Sequence, residues 1–136
     1  MNMTKSSPDE ELSRIFRALS TAARVQILAA IGYGEACVCH LEATLDLRQA
    51  YISQQLMEMR DADLVDTRRE GRFIFYRLKE PKLIDLVIEA ANLFEIPTEE
   101  LEMLLNTDTL PHCSCPHCCT ESDPPWITQG EISSPK

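Results

Sequence analysis

The chain has 136 residues, 44% of them apolar and 26% charged, enough for one packed domain with a short tail. No apolar run approaches the roughly 20 residues that cross a bilayer. Met1–Ser7 lacks the apolar stretch of a secretory signal, so a cytoplasmic protein with no membrane partner is expected. The net charge of −9 excludes a uniformly basic nucleic-acid binder. The charge is uneven, however: residues 1–80 sum to −1 and residues 81–136 to −8, while Arg68, Arg69, Arg72 and Arg77 face only Glu70 in their stretch. Phosphate binding depends on local field and not on the total, so DNA remains open as a partner.

Residues 1–6 are expected to be disordered. Ser7-Pro8-Asp9-Glu10 carries the signals of a helix start: Ser7 as N-cap, proline at the first helical position and Glu10 completing a capping box. Leu12, Ile15, Phe16 and Leu19 follow as an amphipathic stripe. Ser20 is placed to cap a second helix, with Val25, Leu28 and Ile31 inward, which Gly32-Tyr33-Gly34 ends. A short third helix is predicted over residues 38–47 and a fourth over 49–62, with Ile52, Leu56 and Met59 inward. The outward positions of the fourth, Gln49, Ser53, Gln54 and Gln55, are polar yet uncharged, and such side chains read base edges.

Two β-prone runs, 64–69 and 73–78, flank Glu70-Gly71-Arg72 and read as a hairpin. Pro81 opens a fifth helix that is apolar over most of its girth, with Leu83, Ile84, Val87, Ile88, Ala91 and Phe94. Such a helix needs cover on two sides, and a second subunit is the natural cover for one of them. Pro97-Thr98-Glu99-Glu100 opens a sixth helix that runs to Asn106. Beyond it the prolines are frequent and periodicity stops.

Two short helices and a hairpin give the expected fold class: mainly α with a small β-hairpin, a winged helix-turn-helix. The expected organisation is a disordered 1–6, a DNA-binding and dimerisation domain over 7–106, and a flexible Cys/Pro-rich tail over 107–136. The fourth helix would enter the major groove and the hairpin would touch the backbone, so Arg48, Gln49, Ser53, Gln54, Arg68, Arg69 and Arg72 are the candidate DNA contacts.

Six cysteines are present: Cys37, Cys39, Cys113, Cys115, Cys118 and Cys119. In a chain without a secretory signal, metal binding or redox sensing is expected before disulfides. His112-Cys113-Ser114-Cys115-Pro116-His117-Cys118-Cys119 is a dense patch of soft ligands, which favour Cd(II), Pb(II), Zn(II), Cu(I) and As(III) over hard ions. Its Cys115-Pro116-His117-Cys118 stretch has the spacing of a thiol–disulfide oxidoreductase but neither the strand before it nor the helix after it that the chemistry needs. No Ser/His/Asp or paired-carboxylate set is visible, so no enzyme, no small-molecule substrate and no organic cofactor are expected.

Cys37 and Cys39 are two residues apart, about 200° around a helix, and cannot chelate one ion from within a regular one. Either Cys37 lies just before the third helix, or binding distorts its first turn. His40 beside them reads as a ligand, a partner to a ligand or a solvent-exposed side chain.

The chain resembles the ArsR/SmtB family of metal-sensing winged-helix repressors. The resemblance is carried by Arg48-Gln49-Ala50-Tyr51-Ile52-Ser53-Gln54-Gln55-Leu56 with Leu64-Val65, and by Ala18-Leu19-Ser20 with Arg24-Val25-Gln26-Ile27-Leu28. Arg60-Asp61-Ala62, Arg69-Glu70-Gly71-Arg72 and Phe75-Tyr76-Arg77-Leu78 add to it, and it covers residues 10–95. It implies a homodimer that binds operator DNA when ion-free and releases it on binding its ion. Cys37-Val38-Cys39 resembles the thiolate pair of the arsenic- and cadmium/lead-responsive members. Glu42 stands where arsenic sensors of this type have a third cysteine, and residues 1–36 hold none. The resemblance thus implies a Cd(II)-, Pb(II)-, As(III)- or Zn(II)-responsive repressor whose site Cys113, Cys115, Cys118 or Cys119 completes. A thiol-redox or persulfide sensor of the same fold and a metal-buffering module that binds no DNA are the alternatives.

Overall fold

The computed structural model describes residues 6–105. The tail beyond Leu105, with its four cysteines, lies outside them, as do the first five residues of the expected disordered start.

Helix α1 (Pro8–Ala18) begins as its sequence requires. The Glu10 amide donates to Ser7 Oγ at 3.4 Å and the Ser7 amide donates to Glu10 Oε1 at 3.2 Å, so two otherwise orphan donors are satisfied reciprocally. Helix α2 (Ala22–Ile31) starts one residue later than a Ser20 cap implies. Thr21 is its N-cap, while Ser20 Oγ donates to the Arg17 carbonyl at 2.7 Å and closes α1 instead. A serine at a helix–helix junction can satisfy either end, and here the orphan carbonyl takes it. Gly32 ends α2 at φ +63, a conformation that favours glycine.

Strand β1 (Ala36–Cys37) leads directly into α3 (Val38–Leu45), which stops at Asp46 in the left-handed region, two residues short of the expected end. Helix α4 (Gln49–Asp61) follows, then β2 (Val65–Glu70) and β3 (Phe73–Leu78), joined through Gly71 at φ +61. The hairpin is in register from Val65 opposite Leu78 to Glu70 opposite Phe73. The sheet has one strand more than the sequence predicts: β1 pairs antiparallel with β3, Ala36 opposite Tyr76 and Cys37 opposite Phe75, in the order β1-β3-β2. Two residues are too few to show a period-2 pattern, so β1 left no trace in the sequence.

Helices α5 (Lys82–Leu93) and α6 (Glu99–Leu105) complete the chain. Ile27, Leu28, Leu41, Ile52, Leu56, Met59, Val65 and Ile84 form one core that locks α2, α3, α4 and the base of the wing together. Helix α6 packs on α2, with the Leu105 carbonyl oxygen 3.7 Å from where a Cβ on Gly32 would sit. Helix α5 turns Ile84 and Ala91 inward but leaves Leu86, Leu93 (71% exposed) and Phe94 (76%) uncovered. Leu12 and Phe16 of α1, expected inward, are also exposed in the single chain. None of the described helices is long and apolar enough to cross a membrane.

Candidate thiol site and nucleic-acid interface

Cys37 is both the end of β1 and the N-cap of α3, with an extended backbone (φ −92, ψ 170). Its Sγ accepts the His40 amide at 3.4 Å, the place a capping serine oxygen would take. Because Cys37 lies outside the helix and Cys39 inside its first turn, their side chains converge. The two sulfurs are 2.7 Å apart, inside normal van der Waals contact. Cys37 is buried and Cys39 half-buried.

His40 is 1% exposed, so it is a core side chain and not a surface one. Glu42 is exposed. No group of three His, Cys, Asp or Glu side chains able to hold a metal occurs among the described residues. Of the candidate metal ligands, Cys37 and Cys39 are brought together, and Cys113, Cys115, Cys118 and Cys119 lie outside the described residues.

The pair opens on a cleft of about 370 Å³. Cys37, Val38 and Cys39 form one wall, Gln49 and Ser53 of α4 a second, and Arg72, Phe73, Ile74 and Tyr76 of the wing the third. Candidate sensor residues and candidate DNA contacts thus share one concave surface, which their separation in sequence did not suggest.

Along α4, Gln49 and Gln54 are exposed, Ser53 is half-buried, and Arg48 is the exposed N-cap. Gln55, read as outward in the sequence, is buried at 7% exposure. Its Oε1 accepts from Arg24 Nε at 2.8 Å, and the same guanidinium reaches the Ala18 carbonyl at 3.2 Å and the Glu58 carboxylate. Gln55 therefore fixes α4 against α2, and the outward position expected for it is corrected to a buried one. Tyr51, exposed on the same helix, is a groove candidate that the polar pattern missed because it is aromatic.

The wing arginines differ from one another. Arg68 donates to both oxygens of Glu35, at 2.7–3.2 Å, and to Glu70 at 2.9 Å, with its Cζ 4.7 Å above the Phe75 ring. These partners, Glu35 foremost, raise the guanidinium pKa above its usual value and compensate its charge locally. Arg68 thereby ties the wing to Glu35, the residue preceding β1. Arg69 is exposed, and Arg72 lies 5.2 Å from the Phe73 ring centroid; neither forms an ion pair among the described residues.

Comparisons with known proteins agree with this geometry. The profile of the family described as bacterial regulatory protein, arsR family, matches residues 21–67, from the α2 cap to the middle of β2. The biofilm growth-associated repressor of Agrobacterium fabrum is 42% identical over 91 residues, 67% of this chain and 78% of that protein. The arsenic resistance transcriptional regulator ArsR1 of Pseudomonas putida is 37% identical over 79 residues, 55% of this chain and 61% of that protein. A homodimeric winged helix-turn-helix DNA-binding domain from Mycobacterium bovis superposes with a TM-score of 0.57 at 26% identity, covering 66% of this chain and 91% of that one. The chain belongs to the arsR family of bacterial regulatory proteins.

Proposed function

We propose that the protein is a cytoplasmic, homodimeric transcriptional repressor. It binds operator DNA through Arg48, Gln49, Ser53, Gln54 and the wing arginines, and releases it when Cys37 and Cys39 capture a thiophilic ion, Cd(II), Pb(II), As(III) or Zn(II). Residues 7–106 would be the DNA-binding and dimerisation domain and 107–136 a ligand-bearing tail. The observation that carries the reading is the position of the thiol pair, at the junction of β1 and α3 and in one cleft with α4 and the wing. The relatives' repressor and arsenic-resistance names, and the homodimeric state of the structural neighbour, point the same way.

The coupling follows from what each sulfur is attached to. Two metal–sulfur bonds of about 2.3 Å at a tetrahedral angle hold their sulfurs about 3.8 Å apart. A bound ion would fix the spacing and direction of the two sulfurs, which are otherwise free thiols. Cys37 is held in the sheet opposite Phe75, and Cys39 rides on α3, which leads into α4. Fixing the pair would therefore act on the wing and on the paired helices together, the two parts that carry the proposed DNA contacts. An ion coupled to DNA binding in this way shifts affinity by about 5- to 150-fold.

Tail cysteines can complete the coordination from the same chain. Leu105 touches Gly32, five residues before Cys37, a stretch spanning at most about 18 Å. The eight residues from Leu105 to Cys113 reach up to about 28 Å. A second reading, oxidation of the thiols, is favoured by the contact between the two sulfurs.

The test is fluorescence anisotropy of DNA binding, titrated with each ion and, separately, with an oxidant in the absence of metal. The wild type should release DNA with at least one ion, and Cys37→Ser and Cys39→Ser should not. Release by oxidant alone, with no response to any ion, would replace the metal reading with the redox one.

A further inference from the structure

The wing carries its arginines in two different states. Arg69 and Arg72 form no ion pair among the described residues, whereas Arg68 is held by two carboxylates. The hold crosses the whole sheet. Cys37 of β1 and Arg68 of β2 are both ladder partners of Phe75 on the middle strand, so the three form one row, and residues directly opposite share a face. The guanidinium lies 4.7 Å above the Phe75 ring. Glu35, the residue before β1, reaches it from the opposite edge of the sheet and accepts with both oxygens at 2.7–3.2 Å. Glu70, two residues beyond Arg68 on the same face, accepts from Nη1 at 2.9 Å. The two carboxylates outweigh the one guanidinium, so this part of the wing presents no net positive charge.

Exposure makes the hold exchangeable. The Arg68 side chain is 48% exposed and that of Glu35 27%, and ion pairs so close to water add little to stability. A DNA phosphate offers the guanidinium fork the same pair of acceptor oxygens that a carboxylate does, and its neutralisation also releases counterions. Resting on the reading of the wing as a DNA contact, we propose that Glu35 sets DNA affinity by competing with a backbone phosphate for the Arg68 guanidinium. The Phe75 ring supports the guanidinium plane while its anionic partner changes. The wing thus offers Arg69 and Arg72 at once, and Arg68 only when the Glu35 pair is broken. Glu35 belongs neither to α4 nor to the hairpin, so no groove or wing pattern in the sequence singles it out.

The experiment uses the full chain and two DNAs, a fragment selected by the wild-type protein from a random pool and an unselected fragment of the same length. Anisotropy measures affinity between 50 and 200 mM salt for the wild type, Glu35→Gln, Arg68→Ala, Arg72→Ala and the double variant Glu35→Gln with Arg68→Ala. Glutamine keeps the shape of Glu35 and gives up its charge at a partly exposed position, where such a change leaves the fold intact. With the competitor gone, Glu35→Gln should bind both DNAs more tightly and steepen the salt slope by about 1 per subunit, so that its advantage shrinks about 3.5-fold from 50 to 200 mM salt. On the Arg68→Ala background the same substitution should change neither affinity nor slope. An unchanged slope in Glu35→Gln would overturn the competition. So would weaker binding, which would make the pair a support for the wing, or a gain that persists without Arg68, which would make it a general effect of charge. Arg72→Ala separates this inference from the reading beneath it. A slope lowered by Arg72→Ala but unmoved by Glu35→Gln overturns the competition alone; a slope moved by neither overturns the wing as a DNA contact as well.

Discussion

Arg24 holds α4 against α2, and replacing it with Met should destabilise the fold more than a surface change would. Methionine keeps most of the aliphatic stem and removes the donors. Gln55 Oε1 then sits buried without its 2.8 Å partner, and a buried acceptor left unsatisfied costs about 1–3 kcal/mol. The ion pair with Glu58 adds little, about 0–1 kcal/mol, because that carboxylate is half-exposed and screened. The Ala18 carbonyl at the end of α1 also loses a donor at 3.2 Å. The expected loss is about 2–3 kcal/mol, or about 10–20 °C in Tm for a domain of this size. Urea unfolding at fixed protomer concentration reads it, since dimerisation makes stability concentration-dependent. The double variant Arg24→Met with Gln55→Leu is the control: with donor and acceptor both gone, most of the loss should return. If the double variant is as unstable as Arg24→Met alone, the unsatisfied amide is not the cause and the argument is refuted.

Gln54→Ala should weaken binding to the selected DNA by about 1–3 kcal/mol if it reads a base, with little effect on random DNA. Arg72→Ala should weaken binding to all sequences and lower the salt slope by about 1, whereas Arg68→Ala should change that slope less, because Glu35 and Glu70 already compensate its charge. Salt titrations of both variants, showing equal slopes, would contradict the distinction. Leu93→Asp places a charge on a side chain that is exposed in the single chain but covered in a dimer through α5, so sedimentation should find a folded monomer. A dimer of unchanged strength would move the interface elsewhere.

The sequence disclosed what local chemistry decides. The capping box of α1 and the hairpin around Gly71 are each written within a few residues and are found where expected. What it hid depends on partners far along the chain. Gln55 has the composition of a groove contact, and only Arg24, 31 residues away, makes it a core acceptor. Arg68 has the composition of a phosphate contact, and Glu35, 33 residues away, makes it a clasp on the wing. His40 is buried because β1 and α3 fold its segment inward, and β1 was too short to recognise. The two alternatives for Cys37 were both legible; the choice between them required knowing that β3 takes Cys37 as a ladder partner.

That ladder divides the wing at one residue. From Phe75 to the base, β3 is flanked by β1 or continues into the core; from Ile74 to the turn, β2 is its sole described neighbour. A two-stranded ribbon twists more strongly and opens at lower free energy than a strand held on both sides. Amide hydrogen exchange should therefore change sharply at Phe75, with the distal ribbon, Arg69 and Arg72 included, exchanging well before Tyr76. The tip can adjust its twist to the groove it meets while the base stays rigid, and the residue across from the boundary is Cys37. A change at that thiol thus falls at the pivot of the wing, where a small displacement is carried to the tip as a larger one.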